Sequence, residues 1–381
     1  MAWIQNFVIP YEVPLFESLS RERDIDLRVY FLAARYRSRP WLTKQDAGYR
    51  HDILAGPTIE LNGVMVSFNP TIVRRLLRSR PDVLVLSGGY QHLTTQLALV
   101  LAKVLEIPTV YRSDEFERIP SRRGPLIGLR NLIENATISS SDTVICPGLR
   151  AANYNVARGK KREAIFISPY TTEDDGFFIA TTRRFRTEIQ QCRKELGVPH
   201  ENVLLYVGAL SREKGILSLI EAFRSVLLEF PDTALVLAGK GPLEDALKVT
   251  AKMDLAQHLF LPGFIQGETK AKFYSIATVF VLPTQRDLWG IVVNEAMLSG
   301  LPVVTTVSAG ASEMVINGAS GLVLEEGTPA NLAGAMKQLL TDEVLAAKMG
   351  ARGREYAIRE YNLTRRTQAV LAAMRHATGG K

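Results

Sequence analysis

Cysteine is scarce in this chain. There are two cysteines, Cys146 and Cys192, among 381 residues. Two thiols cannot build the disulfide framework of a small secreted domain, and their spacing matches no metal-binding pattern. We therefore expect both to be buried or incidental thiols of a protein in a reducing cytoplasm, and we predict a cytoplasmic localisation.

Long apolar runs are absent too. No run approaches the roughly 20 residues that a membrane-spanning helix needs. The opening segment, MAWIQNFVIPYEVPLF, has neither a basic leader nor a small-residue cleavage site. We interpret it as a first strand and helix and not as a signal peptide.

Acidic residues are fewer than basic ones, which leaves a net charge of +7. Basic clusters occur around 74–80, 122–130 and 160–162. The simplest explanation is that these clusters lie on solvent-exposed faces of ordinary helices. The alternative is that the N-terminal half makes peripheral contact with an anionic membrane. The basic residues are not interleaved with aromatic ones, so we expect no nucleic-acid partner.

Two cofactor motifs are missing. No Asp-x-Asp segment stands at the carboxyl end of a predicted strand to hold a metal ion. The segment Gly239-Lys240-Gly241 lacks the third glycine of a GxGxxG nicotinamide fingerprint. We expect no metal site and no cofactor, and a two-domain oxidoreductase, which the general layout would allow, is disfavoured.

Length and pattern predict two domains. The chain is too long for one ordinary domain, and 46% hydrophobic with 22% charged residues is typical of a globular protein. Strand and helix signals alternate through two series. We predict an α/β protein with two Rossmann-like, doubly wound domains facing each other across a cleft. The expected parts are domains at 1–170 and 201–355, a linker region with one helix at 171–200, and a C-terminal helix at 356–381 whose domain contact stays open.

The most informative segment is QRDLWGIVVNEAM at 285–297. Asp287 and Glu295 stand eight positions apart, and a turn with Gly290 leads into a helix predicted to begin near Ile291. A helix start offers unpaired N–H groups and a positive dipole end, which suit a diphosphate. Carboxylates on either side suit sugar hydroxyls. The segment therefore indicates a binding site for a nucleotide-activated sugar.

Other loops follow predicted strands in the same half. In GALSREKG, Gly208 allows close backbone approach, while Arg212 and Lys214 bring positive charge to a helix start, which fits two phosphates. A strand–helix turn with solvated charges is the alternative for this segment. Gly241 and the pair at 264–265 follow further strands. Ligands of open α/β sheets bind at the carboxyl ends of the strands, so we expect these loops to converge on one crevice.

These motifs resemble the C-terminal domain of family 4 retaining glycosyltransferases of the GT-B fold. The matching pieces within 202–340 are YVGALSREKG, LVLAGKGPLE, LFLPGF, FVLPT, DLWGIVVNEAMLSGLPVV and GASEMVINGASGLV. The first half matches more loosely, through FVIPYEVPLFESL and DVLVLSGGYQHLTTQLALVLAKVLEIPTV. The resemblance implies a metal-independent, retaining hexosyltransferase of glycan or glycoconjugate biosynthesis. It would move a sugar from a nucleoside diphosphate sugar to an acceptor hydroxyl, with UDP favoured by family frequency and GDP open.

The resemblance also implies roles for individual residues. Glu295 would hold the ribose hydroxyls, Asp287 would contact hydroxyls of the donor sugar, and Lys214 would neutralise charge on the leaving group. The base would be bordered by Phe264 and Ile265. The diphosphate would be held by backbone N–H groups at the helix start, those of Gly290, Ile291 and Val292.

Two departures from the family pattern affect the donor side. Asp287 stands where the family commonly has Glu, and one methylene less shortens its reach. Ala209 stands where Arg usually follows the first strand, which leaves Arg212 as a substitute cation. These departures keep a second function open: a sugar-nucleotide-binding protein or partner subunit with weak or no transferase activity.

A third departure affects the first half. Many members carry a His after the strand that here ends near Tyr111, and in this chain Asp114 is the positional candidate for contacting the reacting sugar. His92 is a weaker candidate, since a lone His at a helix start is more often structural. We expect specificity for the acceptor to lie between about 34 and 66 and in the basic loop around 118–123.

Overall fold

The computed structural model of the chain describes residues 1–34, 48–61, 64–116, 127–172 and 175–379. The basic loop at 118–123 and the segment 35–47, where acceptor specificity was expected, lie outside the described residues. The chain divides into two compact units. Unit 1 comprises Met1–Glu173 with Leu363–Lys381, and unit 2 comprises Asp174–Asn362.

The strands are short and mostly buried. They are β1 (Ala2–Gln5), β2 (Arg28–Phe31), β3 (Arg50–Ile53), β4 (Thr58–Leu61), β5 (Val64–Ser67), β6 (Leu84–Ser87), β7 (Thr109–Arg112), β8 (Thr143–Cys146), β9 (Ile165–Ile167), β10 (Asn202–Val207), β11 (Thr233–Ala238), β12 (Leu259–Gly263), β13 (Val279–Leu282), β14 (Val303–Thr306) and β15 (Gly321–Leu324).

Helices connect most of these strands. They are α1 (Val13–Ser20), α2 (Thr71–Ser79), α3 (Leu93–Val104), α4 (Ile127–Ser140), α5 (Leu149–Val156), α6 (Asp175–Thr187), α7 (Ile189–Leu196), α8 (Ile216–Leu227), α9 (Glu244–Met253), α10 (Gly267–Ile276), α11 (Ile291–Leu298), α12 (Pro329–Thr341), α13 (Glu343–Glu360) and α14 (Leu363–Ala377). Within the described residues, no helix has the length and apolarity needed to cross a membrane.

Unit 1 is built on a seven-stranded sheet in the order β3-β2-β1-β6-β7-β8-β9, and every neighbouring pair is parallel. Strands β4 and β5 form a separate antiparallel hairpin. One face of the sheet is covered by α1 and by the C-terminal helix α14. Side chains of that helix, Val370, Ala373 and Met374, belong to the same apolar core as Trp3 and Phe16.

A buried ion cluster attaches α14 to unit 1. Arg366 donates from Nη2 to Glu12 Oε2 at 2.7 Å and from Nη1 to the carbonyl oxygen of Tyr11 at 2.7 Å. The Nη1 atom of Arg112 lies 3.1 Å from the same carboxylate. The side chains of Arg366, Glu12 and Arg112 are 0%, 1% and 3% exposed. One buried carboxylate therefore joins two guanidinium groups that are far apart in sequence.

Unit 2 has a six-stranded parallel sheet in the order β12-β11-β10-β13-β14-β15. This order is that of a Rossmann sheet, in which the direction of winding reverses between the first and fourth strands in sequence. Here the reversal lies between β10 and β13. The expected pair of doubly wound, Rossmann-like α/β domains is confirmed.

The segment at 171–200 differs from the expected linker with one helix. Its described part contains two helices, α6 and α7, and both pack against α10. Phe178 of α6 is buried and meets Tyr274 of α10 edge-on, with ring centroids 5.3 Å apart. A helix that buries an aromatic ring against a domain is part of that domain. The charged residues on the outer face of α6 hid this apolar contact in the sequence.

We predict that Arg366→Met destabilises unit 1. Arg112 still pairs with Glu12 in this variant, but the carboxylate loses its hydrogen bond from Arg366 and the Tyr11 carbonyl loses its donor, which together cost about 1–3 kcal/mol. Urea unfolding followed by circular dichroism should show a lower midpoint. The control is Arg375→Met, an exposed arginine on the same helix, which should change stability by less than about 0.5 kcal/mol. Equal midpoints for the two variants would show that the ion cluster does not anchor α14.

Candidate functional site

The candidate residues of unit 2 follow strands on both sides of the winding reversal. Lys214 belongs to a 3-10 turn, Arg212–Lys214, that comes after β10, and Asp287 comes after β13. Strands β10 and β13 are hydrogen-bonded neighbours, so their carboxyl ends adjoin. Open α/β sheets bind ligands at this place, because the loops diverge there and leave a crevice.

Lys214 and Asp287 meet directly, although 73 residues separate them in sequence. Lys214 Nζ donates to Asp287 Oδ2 at 2.8 Å and to the carbonyl oxygen of Arg286 at 3.0 Å. Their side chains are 21% and 23% exposed, so water reaches both members of the pair. The structure thus brings the predicted leaving-group lysine and the predicted sugar-binding carboxylate together.

Gly215 permits this approach. It has a left-handed φ of 73°, and a Cβ atom there would fall 1.9 Å from the carbonyl oxygen of Pro283. No side chain fits such a distance. The backbone N–H of Gln285 also donates to the carbonyl oxygen of Glu213 at 2.9 Å. The turn with Lys214 and the loop with Asp287 are therefore packed backbone against backbone.

The glycines of GKGP have a structural explanation. A Cβ at Gly241 would lie 2.4 Å from the carbonyl oxygen of Leu210, and a Cβ at Gly239 would lie 1.8 Å from that of Gly208. The Leu210 N–H donates to the carbonyl oxygen of Lys240 at 3.0 Å. The two loops are therefore in contact with each other, and the predicted close approach of Gly208 and Gly241 to a ligand stays a prediction. Arg212, the predicted substitute cation, is exposed beside them.

Helix α11 begins where the sequence predicts, at Ile291. Its N-cap, Gly290, has a left-handed φ of 92° and no side chain to cap the helix. The first N–H groups of a helix have no partner inside it, so those of Ile291 and Val292 can donate hydrogen bonds to a bound anion. The preceding loop is held in place by backbone hydrogen bonds: Asp287 N–H donates to Ser308 O at 3.1 Å, and Gly310 N–H to Asp287 O at 2.8 Å.

Glu295 is only 4% exposed, and both of its carboxylate oxygens accept hydrogen bonds. Lys270 Nζ donates to Oε1 at 2.6 Å, and the Tyr274 hydroxyl donates to Oε2 at 2.9 Å. Burial, together with the Glu295 charge, raises the pKa of Tyr274 well above its ordinary value, so the hydroxyl keeps its proton.

Sequence reasoning missed Lys270 and Tyr274. They are four residues apart on α10, a spacing that places two side chains on one helix face. That spacing is visible in the sequence. Their contact with α11 is not, because it depends on how two helices separated by a strand pack together.

The remaining donor-side candidates follow the edge strand β12. Ile265 is buried and Phe264 is half-buried. Their proposed contact with a base stays a prediction.

Two candidates lie in unit 1. Asp114 follows β7 and accepts a 2.6 Å hydrogen bond from the Tyr170 hydroxyl at Oδ2, while Arg112 Nε lies 3.5 Å from Oδ1. His92 is fully buried at the start of α3, and its Nδ1 accepts from the Ser67 N–H at 3.1 Å. Burial lowers the pKa of His92 to about 4, so the ring is neutral. This hydrogen bond to the backbone gives His92 a structural task, whereas Asp114 stays a predicted contact of the reacting sugar.

Neither a candidate metal centre nor an exposed thiol is found among the described residues. Among the residues that the structure describes, no cluster of three or more His, Cys, Asp or Glu side chains is placed to hold a metal ion. Cys146 and Cys192 are both buried.

Comparison with known proteins gives a family match within unit 2. Residues 188–356 match the family model of group 1 glycosyl transferases. The sulfoquinovosyl transferase SQD2 of Arabidopsis thaliana is 25% identical over 307 residues, covering 76% of this chain and 56% of the plant protein. The D-inositol 3-phosphate glycosyltransferase of Corynebacterium kroppenstedtii is 31% identical over 179 residues, covering 45% of this chain and 40% of the relative. The chain thus matches about half the length of these curated relatives.

The fold extends over the whole chain. The crystal structure of Anabaena Alr3699/HepE in complex with UDP has a TM-score of 0.76 at 16% identity, covering 97% of this chain and 98% of that protein. At this identity the match concerns the fold alone. The resemblance drawn from the motifs is confirmed at the level of group 1 glycosyltransferases, and the fold class is confirmed as GT-B.

We predict that Gly215→Ala lowers the stability of unit 2. A left-handed φ and an overlap with Pro283 together should cost at least about 2 kcal/mol. The matched control is Gly334→Ala, an exposed position inside α12 with no atom near the added Cβ. That change should raise stability by about 0.5–1 kcal/mol. Urea midpoints measure both, and a neutral Gly215→Ala would mean that the turn does not need glycine.

Proposed function

We propose that this chain, whose residues 188–356 match the family model of group 1 glycosyl transferases, is a retaining glycosyltransferase. It moves a sugar from a nucleoside diphosphate sugar to an acceptor hydroxyl, without a metal ion. The observation that carries the proposal is the 2.8 Å pairing of Lys214 with Asp287 at the adjoining carboxyl ends of β10 and β13, in the loop that leads into α11.

The chemistry develops negative charge on the leaving diphosphate. Backbone N–H groups at Gly290, Ile291 and Val292 offer donors that are already oriented, and Lys214 supplies a mobile cation beside them. Oriented donors stabilise developing charge without reorganisation, which makes them effective catalysts. The departing phosphate itself takes the proton of the acceptor hydroxyl, so the reaction requires no separate base.

Asp287 has two tasks in this proposal. In the absence of donor it pairs with Lys214 at 2.8 Å and holds the ammonium group at the site. With donor present, the diphosphate attracts the ammonium group and the carboxylate becomes available to hydroxyls of the sugar. Water reaches both side chains, so the exchange of partners costs little desolvation. Asp114 of unit 1 stays the candidate for a further contact with the reacting sugar.

UDP is the first nucleotide to test. Anabaena Alr3699/HepE, which shares the fold, was crystallised with UDP and with UDP-glucose. GDP is the alternative. Thermal-shift screening against UDP, GDP, ADP and their glucose conjugates would identify the donor class, and the absence of a shift with every compound would contradict the proposed function.

The second candidate function is binding of a sugar nucleotide without transfer of the sugar. The pairing of the short Asp287 side chain with Lys214 favours it, because a carboxylate retained by the lysine would be withheld from the sugar. Calorimetry combined with a donor-hydrolysis assay separates the two functions. Tight nucleotide binding without release of free sugar would favour the binding protein.

We predict that Lys214→Ala lowers transfer or donor hydrolysis by about 100-fold to 1000-fold, because charge on the leaving diphosphate loses its cation. The rate is measured as release of free nucleoside diphosphate from the donor identified in the screen. Lys252→Ala, an exposed lysine of α9, is the control and should retain the wild-type rate. An unchanged rate in Lys214→Ala would remove its proposed role.

Peripheral membrane contact is also part of the proposal, with a narrower surface than the sequence suggested. Lys160 of the 160–162 cluster is buried and its Nζ donates a hydrogen bond to the carbonyl oxygen of Ser141, so it does not face solvent. Helix α2 presents exposed arginines beside exposed Leu77, and it packs on α3, where Val100 and Val104 are 63% and 74% exposed. Apolar side chains flanked by arginines suit an anionic lipid surface.

We predict that the protein cosediments with vesicles containing phosphatidylserine and not with pure phosphatidylcholine vesicles. Arg74→Glu with Arg78→Glu should abolish this binding, since each basic residue near such a surface contributes about 1 kcal/mol. The control reverses two exposed charges of unit 2, Lys252→Glu with Arg352→Glu, and changes the net charge equally. Equal loss in both variants would indicate a general effect of net charge and would contradict an α2 surface.

A further inference from the structure

We propose that Lys270 and Tyr274 are positioning residues that hold the Glu295 carboxylate for the ribose of the nucleotide, an inference that rests on the proposed function. A buried carboxylate is unfavourable unless it is paired and hydrogen-bonded. Glu295 satisfies both conditions, through Lys270 Nζ at 2.6 Å and the Tyr274 hydroxyl at 2.9 Å. The two donors approach different oxygens, so they determine the orientation of the carboxylate as well as its charge.

This arrangement leaves hydrogen-bonding capacity on the carboxylate for a ligand. An ionised carboxylate has about four lone-pair sites, two on each oxygen. Lys270 and Tyr274 occupy one site on each oxygen, which leaves one site on each. The 2′- and 3′-hydroxyls of a ribose are two adjacent donors, so together they match the two remaining sites. A 2′-deoxyribose offers one donor and would leave one site unpaired.

The two positioning residues are themselves held by packing. Tyr274 is fully buried between Phe178 of α6, at 5.3 Å edge-on, and Phe280 of β13, at 5.8 Å in a stacked arrangement. The ammonium group of Lys270 lies 5.6 Å from the Phe178 ring centroid. Aromatic rings on both sides restrict the rotamers of the donors. Helix α6, in the segment expected to be a linker, thereby supports the carboxylate through α10.

The chain offers a matched control two residues along α10. Lys272 pairs with Glu195 at 2.6 Å, is 25% exposed, and lies 5.2 Å from the Phe185 ring centroid. It shares with Lys270 the helix, the residue type, a carboxylate partner and an aromatic neighbour. Lys272→Met removes the same charge from the same helix without touching Glu295.

The experiment measures calorimetric affinities of the wild type and variants for UDP, 2′-deoxy-UDP, GDP and 2′-deoxy-GDP. We expect the wild type to bind the preferred ribonucleotide about tenfold more tightly than its 2′-deoxy counterpart, the effect of one lost charge-assisted hydrogen bond. Lys270→Met should weaken ribonucleotide binding to the level of the deoxy compound and remove the preference. Lys272→Met should keep the wild-type preference for the ribonucleotide. Lys270→Arg, which retains the positive charge, should show part of the preference that Lys270→Met loses.

Each outcome has a distinct meaning. A wild type that binds ribonucleotide and deoxynucleotide equally would overturn the inference and leave the proposed function standing. A wild type that binds none of the four would overturn both. Equal weakening of both nucleotides in Lys270→Met would show a structural role only. If that variant does not fold, Tyr274→Phe, which removes one hydroxyl, decides the question by the same affinity ratio.

Discussion

The reversal of winding between β10 and β13 is the constraint on which the candidate site depends. Parallel strands deliver all their following loops to one edge, and the reversal places the two central strands side by side. Lys214 and Asp287 each need only follow their own strand to come within 2.8 Å. Gly215 completes the approach, because any larger residue would collide with the backbone of Pro283.

Much of this was accessible from the sequence. Buried apolar runs and their alternation with helices predict both sheets, and Asp287, Gly290 and Glu295 stand within one short segment that also specifies the start of α11. Such features are local in sequence. The Glu295 partners and the contact of Gly241 with Leu210 are not, because they depend on packing between elements that the chain separates. For the same reason the contact of the GKGP glycines with a neighbouring loop could not be predicted from the sequence.

Unit 1 illustrates the same limit on a larger scale. The sequence predicts a C-terminal helix but does not indicate which unit it packs against. The answer comes from Glu12, whose buried carboxylate joins Arg366 of α14 to Arg112 at the end of β7. The chain therefore enters unit 2 and returns to finish unit 1. Asp114 follows the strand that carries Arg112, so the position of this candidate is tied to the anchoring of α14.

The two lysine–carboxylate pairs of unit 2 have the same chemistry in different surroundings. The side chains of Lys214 and Asp287 are each more than a fifth exposed, whereas those of Glu295 and Lys270 are 5% and 16% exposed. In contact with water, an ion pair is weak and its members can change partners when a charged ligand arrives. In a buried environment, separating the charges is costly, so the pair persists. The exposed pair therefore suits a step in which charge moves, and the buried pair suits a contact whose geometry must stay constant.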